Sequence, residues 1–210
     1  MSFELDQFAA IRPYLFHLTS RENVDLLRHT RQLLPASAIL SEADACDWLD
    51  RKRQDHVKVQ FRGQLLLVRD QKPLYQGNTA LADGWTFGQL IRSLNDRVFF
   101  WPGTSPGVPI AYGERHFERY KSEGPKILRI GTRDLIIENS ELTPEFCKYN
   151  SGSPRCSGGK GSPRGLETFV TCSQAPFRPS AAIEVTFRGT VSIPTSCEIG
   201  DSTVGPWIRF

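Results

Sequence analysis

The chain has 210 residues, 39% of them hydrophobic and 23% charged, a composition that suits one soluble globular domain spanning 1–210. Its formal net charge of +3 is too small to demand a nucleic-acid or anionic-surface partner. No apolar run approaches the roughly 20 residues that span a bilayer, and Met1–Asp6 carries acid where a secretory leader carries base, so a cytoplasmic protein without a membrane partner is expected. The five cysteines form no C-x-x-C pair, which argues against a disulfide framework or structural zinc.

Tyr14–Leu18 is short, apolar and aromatic, the pattern of a buried strand. Thr19-Ser20-Arg21-Glu22 follows as a capping-box signal, Val24 and Leu27 give helical spacing, and Leu33-Leu34-Pro35 marks the exit. Ser37–Leu49 reads as a second helix. Val57, Val59 and Phe61 alternate with polar residues, Arg62-Gly63 turns, and Gln64–Arg69 returns, which predicts a hairpin. Thr86-Phe87-Gly88-Gln89 is a second capping box. Arg97–Trp101 reads as a core strand, Val108–Lys121 as helix and Lys126–Ile130 as strand. Asn150–Gly165, with five glycines and four serines, is loop. Glu167–Thr171 reads as a strand, and Ala182–Arg188 with Val191 and Ile193 as a closing hairpin. The fold class is α+β, with a mixed or antiparallel sheet and helices mainly in the N-terminal half.

There is no phosphate-loop motif, no G-x-G-x-x-G, no H-E-x-x-H and no G-x-S-x-G. The four histidines lack metal-ligand spacing, so no metal is expected. What remains is His17 at a strand end, beside a helix start that carries Thr19 and Asn23. Backbone N–H groups at a helix start favour an anion such as a pyrophosphate. The same pattern also describes a core histidine and an ordinary cap.

The segment Tyr14–Leu34, YLFHLTSRENVDLLRHTRQLL, resembles the opening of the DarT-type ADP-ribosyltransferase toxins, in which an aromatic-His-x-Thr-x-x-x-Asn pattern precedes an amphipathic helix. The family's glycine after that helix falls at Arg31, so a differently built turn is expected there. The chain also resembles an uncharacterised bacterial family through its V-F-F-W-P-G and N-S-G-x-P-R stretches. The resemblance implies an ADP-ribosyltransferase fold that uses NAD as co-substrate, contacted by His17, Thr19 and Asn23. Phe99 or Phe100 would lie against the nicotinamide. Glu167, which follows the long loop, is the preferred catalytic carboxylate, and Glu184 its rival. An arginine near the phosphates or the target would be Arg51, Arg53 or Arg69. Arg155, Lys160 and Arg164 would contact a nucleic-acid acceptor, DNA or RNA. The implied setting is a toxin of a toxin–antitoxin or anti-phage system, with an antitoxin protein as partner. NAD glycohydrolysis, transfer to protein, and a non-catalytic binding module are the alternatives.

Overall fold

A computed structural model describes residues 2–154 and 161–210. Helix α1 (Leu5–Ile11) starts where Gln7 Oε1 accepts the Glu4 N–H at 3.4 Å, and it buries Phe8 completely. Strand β1 (Tyr14–Thr19) follows, then helix α2 (Val24–Thr30), the two-residue strand β2 (Gln32–Leu33) and helix α3 (Ala36–Glu42). A hairpin of β3 (Val57–Phe61) and β4 (Gln64–Val68) turns through Arg62 and Gly63, both at positive φ, as a two-residue turn between twisted strands requires. Helix α4 (Phe87–Asn95) has the expected capping box: Thr86 Oγ1 accepts the Gln89 N–H at 3.2 Å and Gln89 Oε1 accepts the Thr86 N–H at 2.7 Å.

Then come β5 (Arg97–Pro102), α5 (Ala111–Tyr120), β6 (Lys126–Gly131), α6 (Thr132–Glu138) and β7 (Glu145–Cys147). The chain closes with β8 (Glu184–Arg188), β9 (Val191–Ser192), β10 (Glu198–Gly200) and β11 (Ile208–Arg209). Seven strands form one sheet in the order β11-β10-β6-β1-β5-β8-β7, every pairing antiparallel. The protein is therefore α+β with an antiparallel core.

The period of two along each strand sorts side chains onto two faces. Leu15, Val98, Phe100, Leu128, Val185 and Phe187 face a core closed by Phe8, by Val24 and Leu27 of α2, and by Leu135 of α6. Phe16, Leu18, Trp101 and Ile127 face the other way and meet Phe117 and Tyr120 of α5. A Cβ at Gly113 would lie 2.8 Å from Trp101 Cβ, so glycine there lets α5 press directly onto β5. The β3–β4 hairpin packs separately with α3 through Leu40, Val59, Phe61 and Leu66.

Several local expectations are corrected. The Thr19–Glu22 capping box does not form, because β1 stays paired with β6 as far as Thr19↔Lys126. A 3-10 turn, Arg21–Asn23, intervenes before α2. The second helix ends at Glu42, and Cys46–Trp48 is a separate 3-10 turn. Glu167–Thr171 is not a strand: Leu166–Thr168 is a 3-10 turn and Val170 makes a lone bridge to Phe146. The closing hairpin is absent, since Val191 pairs with Leu33 of β2 instead of folding back on β8.

The turn at Arg31 is left-handed (φ 54°), the conformation glycine would adopt, so it is not built differently. Arg31 holds it by donating to the carbonyls of Phe210 (2.8 Å), Ile193 (3.3 Å) and Pro194 (2.5 Å), with its guanidinium 5.1 Å from the Phe210 ring.

Candidate functional site

Strands β1 and β5 pair at only two positions, Leu15↔Pro102 and Phe16↔Trp101. Beyond them a side chain replaces the backbone ladder: His17 Nδ1 lies 2.9 Å from the Phe99 carbonyl oxygen. A carbonyl only accepts, so Nδ1 carries the proton and Nε2 is left as an acceptor. A cleft of about 280 Å³ opens where pairing stops, and Leu18, Thr19, Val98 and Phe99 of the two strands line it. The β3–β4 hairpin, α5 and the segment Asn150–Ser153 complete its walls.

One side of the cleft is basic. The Arg69 guanidinium stacks 4.5 Å over the Tyr120 ring, and its Nη1 donates to Glu123 at 3.1 Å. Its Nε and Nη2 are buried with no hydrogen-bond partner among the described residues. Burial holds the Arg69 pKa below its usual value, against the opposing pull of Glu123. Arg119 stands exposed at the rim. Arg53 also lines the cleft but is buried, with Nε donating to the Arg69 carbonyl (2.8 Å) and Nη1 to Asn95 Oδ1 (3.0 Å). Burial pushes its pKa down to about 10, with Asp70 opposing.

Two imidazoles line the same space. Burial pushes His17 down to about 4, partly offset by its bond to Phe99, and His116 down to about 3, helped by Arg69 and Arg119. Both are neutral at pH 7. His116 packs against Trp101 with ring centroids 4.9 Å apart and the planes tilted by 35°. Tyr120 donates to Asp70 at 3.2 Å, and burial pushes its phenol up to about 12.

The opposite wall holds Glu184, 2% exposed at the start of β8. Its Oε2 accepts the Ser151 N–H at 3.1 Å. Burial pushes its pKa up to about 7, while Ser151 and Arg164 hold it down. The Ser151 side chain is near enough to favour the ionised carboxylate, yet its Oγ makes no hydrogen bond of proper geometry.

The cleft thus gathers His17, Thr19, Asn23, Phe99, Arg69 and Glu184 from the expected residues. Asn23 lines it with its amide already used: Nδ2 donates to the Leu67 carbonyl and Oδ1 accepts the Leu67 N–H, both at 2.9 Å. Asn23 therefore anchors the hairpin and is not a free ligand contact. Phe100 is a correction, since it points into the core and packs edge-on to Phe187 at 5.8 Å. Glu167 is another, lying exposed in its 3-10 turn outside the cleft wall. Arg51 is exposed beside Trp48, also outside it. Arg164 is fully buried, with its guanidinium 4.2 Å over Tyr149 and donating to the Asn150 carbonyl at 3.1 Å, so it does not offer a solvent-facing phosphate contact. Arg155 and Lys160 lie outside the described residues.

His116, Arg119 and Tyr120 were missed, although their i, i+3, i+4 spacing on a helix places them on one face. Glu184 alternates with Ile183 and Val185, a pattern that suits a strand with one solvated face, but β8 lies between β5 and β7 and both of its faces are covered.

Among the described residues no group of His, Cys, Asp or Glu side chains is arranged to hold a metal ion, and no helix is long and apolar enough to cross a membrane. No curated protein and no solved structure matches the chain. A family of unknown function, DUF7002, matches residues 13–195, and the chain belongs to that family.

Proposed function

We propose that the protein is an NAD-dependent ADP-ribosyltransferase whose site is the cleft between β1 and β5, with Glu184 as its carboxylate. One observation carries the reading. The buried carboxylate of Glu184 and the Arg69 guanidinium, with two donor nitrogens unmatched among the described residues, line the same cleft at a break in the sheet. Unmatched buried donors favour an anionic ligand, and a guanidinium fork suits phosphate oxygens. A carboxylate suits the positive charge that develops when a glycosidic bond breaks. The half-buried Phe99 ring offers a stacking surface for a flat heterocycle. At about 280 Å³ the cavity is close to the lower end of small-molecule clefts, roughly 300–1,000 Å³.

In this reading Arg69, with Arg119 at the rim, holds the pyrophosphate. His17 Nε2 accepts from a ribose hydroxyl. Ionised Glu184 stabilises the oxocarbenium ion as nicotinamide leaves with the bonding electron pair. Glu184 then takes the proton that the acceptor loses as its new bond to ribose forms.

The nucleic-acid acceptor, DNA or RNA, and the toxin setting with an antitoxin rest on the resemblance of Tyr14–Leu34 to the DarT-type toxins. The test is incubation of the protein with NAD and single-stranded DNA or RNA, followed by mass spectrometry. An ADP-ribose adduct on a base supports the proposal. Free ADP-ribose alone makes the protein a glycohydrolase, and an adduct on protein moves the acceptor class. No NAD binding by calorimetry at millimolar concentration overturns the reading.

A further inference from the structure

Ser151 is fully buried, lines the cleft, and its Oγ has no hydrogen-bond partner among the described residues. Native proteins pair nearly all such groups, so a buried orphan hydroxyl in a cleft calls for an explanation. The residue is not loosely placed. Its own N–H donates to Glu184 Oε2 at 3.1 Å, and the preceding carbonyl, that of Asn150, accepts from Arg164 Nη2 at 3.1 Å. Glu184 is fixed in turn by the pairing of β8 with β7, opposite Cys147. The cleft therefore presents two polar groups side by side on a rigid base: a carboxylate that only accepts when ionised, and a hydroxyl that both donates and accepts.

We propose that Ser151 is a ligand-contacting residue whose hydroxyl, together with the Glu184 carboxylate, reads the two adjacent hydroxyls of a ribose. The proposal rests on the reading of the cleft as a nucleotide site and adds which part of the ligand lies at this wall. Glu184 accepts from one hydroxyl of the cis-diol and Ser151 Oγ bonds the other. A sugar lacking either hydroxyl leaves one of the two protein groups unmatched.

Calorimetry on the full chain tests this with NAD and with two analogues, one lacking the 2′- and one the 3′-hydroxyl of the nicotinamide ribose. The variants are Ser151→Ala, Ser151→Thr and Ser151→Cys. Ser151→Ala keeps the backbone N–H that anchors Glu184 and removes only the hydroxyl. It is expected to bind NAD about tenfold more weakly, the usual worth of one hydrogen bond to a ligand. Ser151→Thr restores the wild-type affinity. The tenfold penalty of Ser151→Ala vanishes against the analogue that lacks the partner hydroxyl. Should Ser151→Ala not fold, Ser151→Cys, which keeps the volume and supplies only a weak donor, carries the same expectation. Unchanged NAD affinity in Ser151→Ala, or a penalty that persists with both analogues, overturns the proposal while leaving the NAD reading intact. Wild-type protein that binds none of the three ligands overturns both.

Discussion

A carboxyl group sealed from water keeps its proton longer than one in solvent, and Glu184, 2% exposed, titrates near 7 for that reason. This has a consequence for stability. Between about pH 4.5 and 7 the unfolded chain ionises this group while the folded protein keeps it protonated, so its contribution falls as pH rises through that window. Glu184→Gln removes the penalty. The variant is expected to be more stable than wild type above pH 7, by up to about 3 kcal/mol, and equal to it near pH 4. Denaturant melts at both pH values check this. If the carboxylate acts when ionised, kcat/KM of the wild type rises with pH through about 7. Arg69 makes a second residue-scale case. Arg69→Ala is expected to weaken NAD binding by at least about tenfold, because charge-assisted bonds to phosphate are lost. Calorimetry reads that change. Phe99 and Phe100 separate in the same assay: Phe99→Leu weakens NAD binding, whereas Phe100→Leu lowers Tm and leaves affinity alone, since Phe100 belongs to the core.

At the scale of elements, the end of α2 shows how a side chain substitutes for glycine. Arg31 accepts a left-handed backbone, which costs roughly 1–2 kcal/mol for a residue with a Cβ, and offsets that cost through three carbonyl contacts near the C-terminus. Arg31→Ala keeps the strain and loses the contacts, whereas Arg31→Gly loses the contacts and the strain. The glycine variant is therefore expected to be the more stable of the two by about 1 kcal/mol, with both below wild type. Chemical denaturation of the three proteins orders them. Asn23 makes a similar tie between elements. Its amide closes a two-bond clasp on Leu67 and seats the hairpin against α2, which puts Arg69, two residues on, at the cleft.

Across the whole molecule, the site exists because the sheet is incompletely zipped: β1 and β5 pair at Phe16↔Trp101 and part at His17, and α5 roofs the gap. Local signals made much of the frame legible. The aromatic run at Tyr14, the Arg62-Gly63 turn and the Thr86 capping box each specify a conformation within a few residues, and each stands where it was read. What local patterns do not encode is which strands become neighbours. Glu184 is buried because β7 and β5 flank β8, and Glu167 is exposed because its segment turns instead of pairing. Val191 found β2 from far along the chain. Arg164 looked like a surface base in a polar loop and is instead the buried plug beside Tyr149.

The most direct test sets Glu184→Gln beside Glu167→Gln in an assay of nicotinamide release from NAD and of adduct formation on single-stranded nucleic acid. Glu184→Gln is expected to lose turnover by at least about a hundredfold while still binding NAD, and Glu167→Gln to turn over as wild type does. A Glu184→Gln protein that keeps its activity while Glu167→Gln is dead would contradict the account.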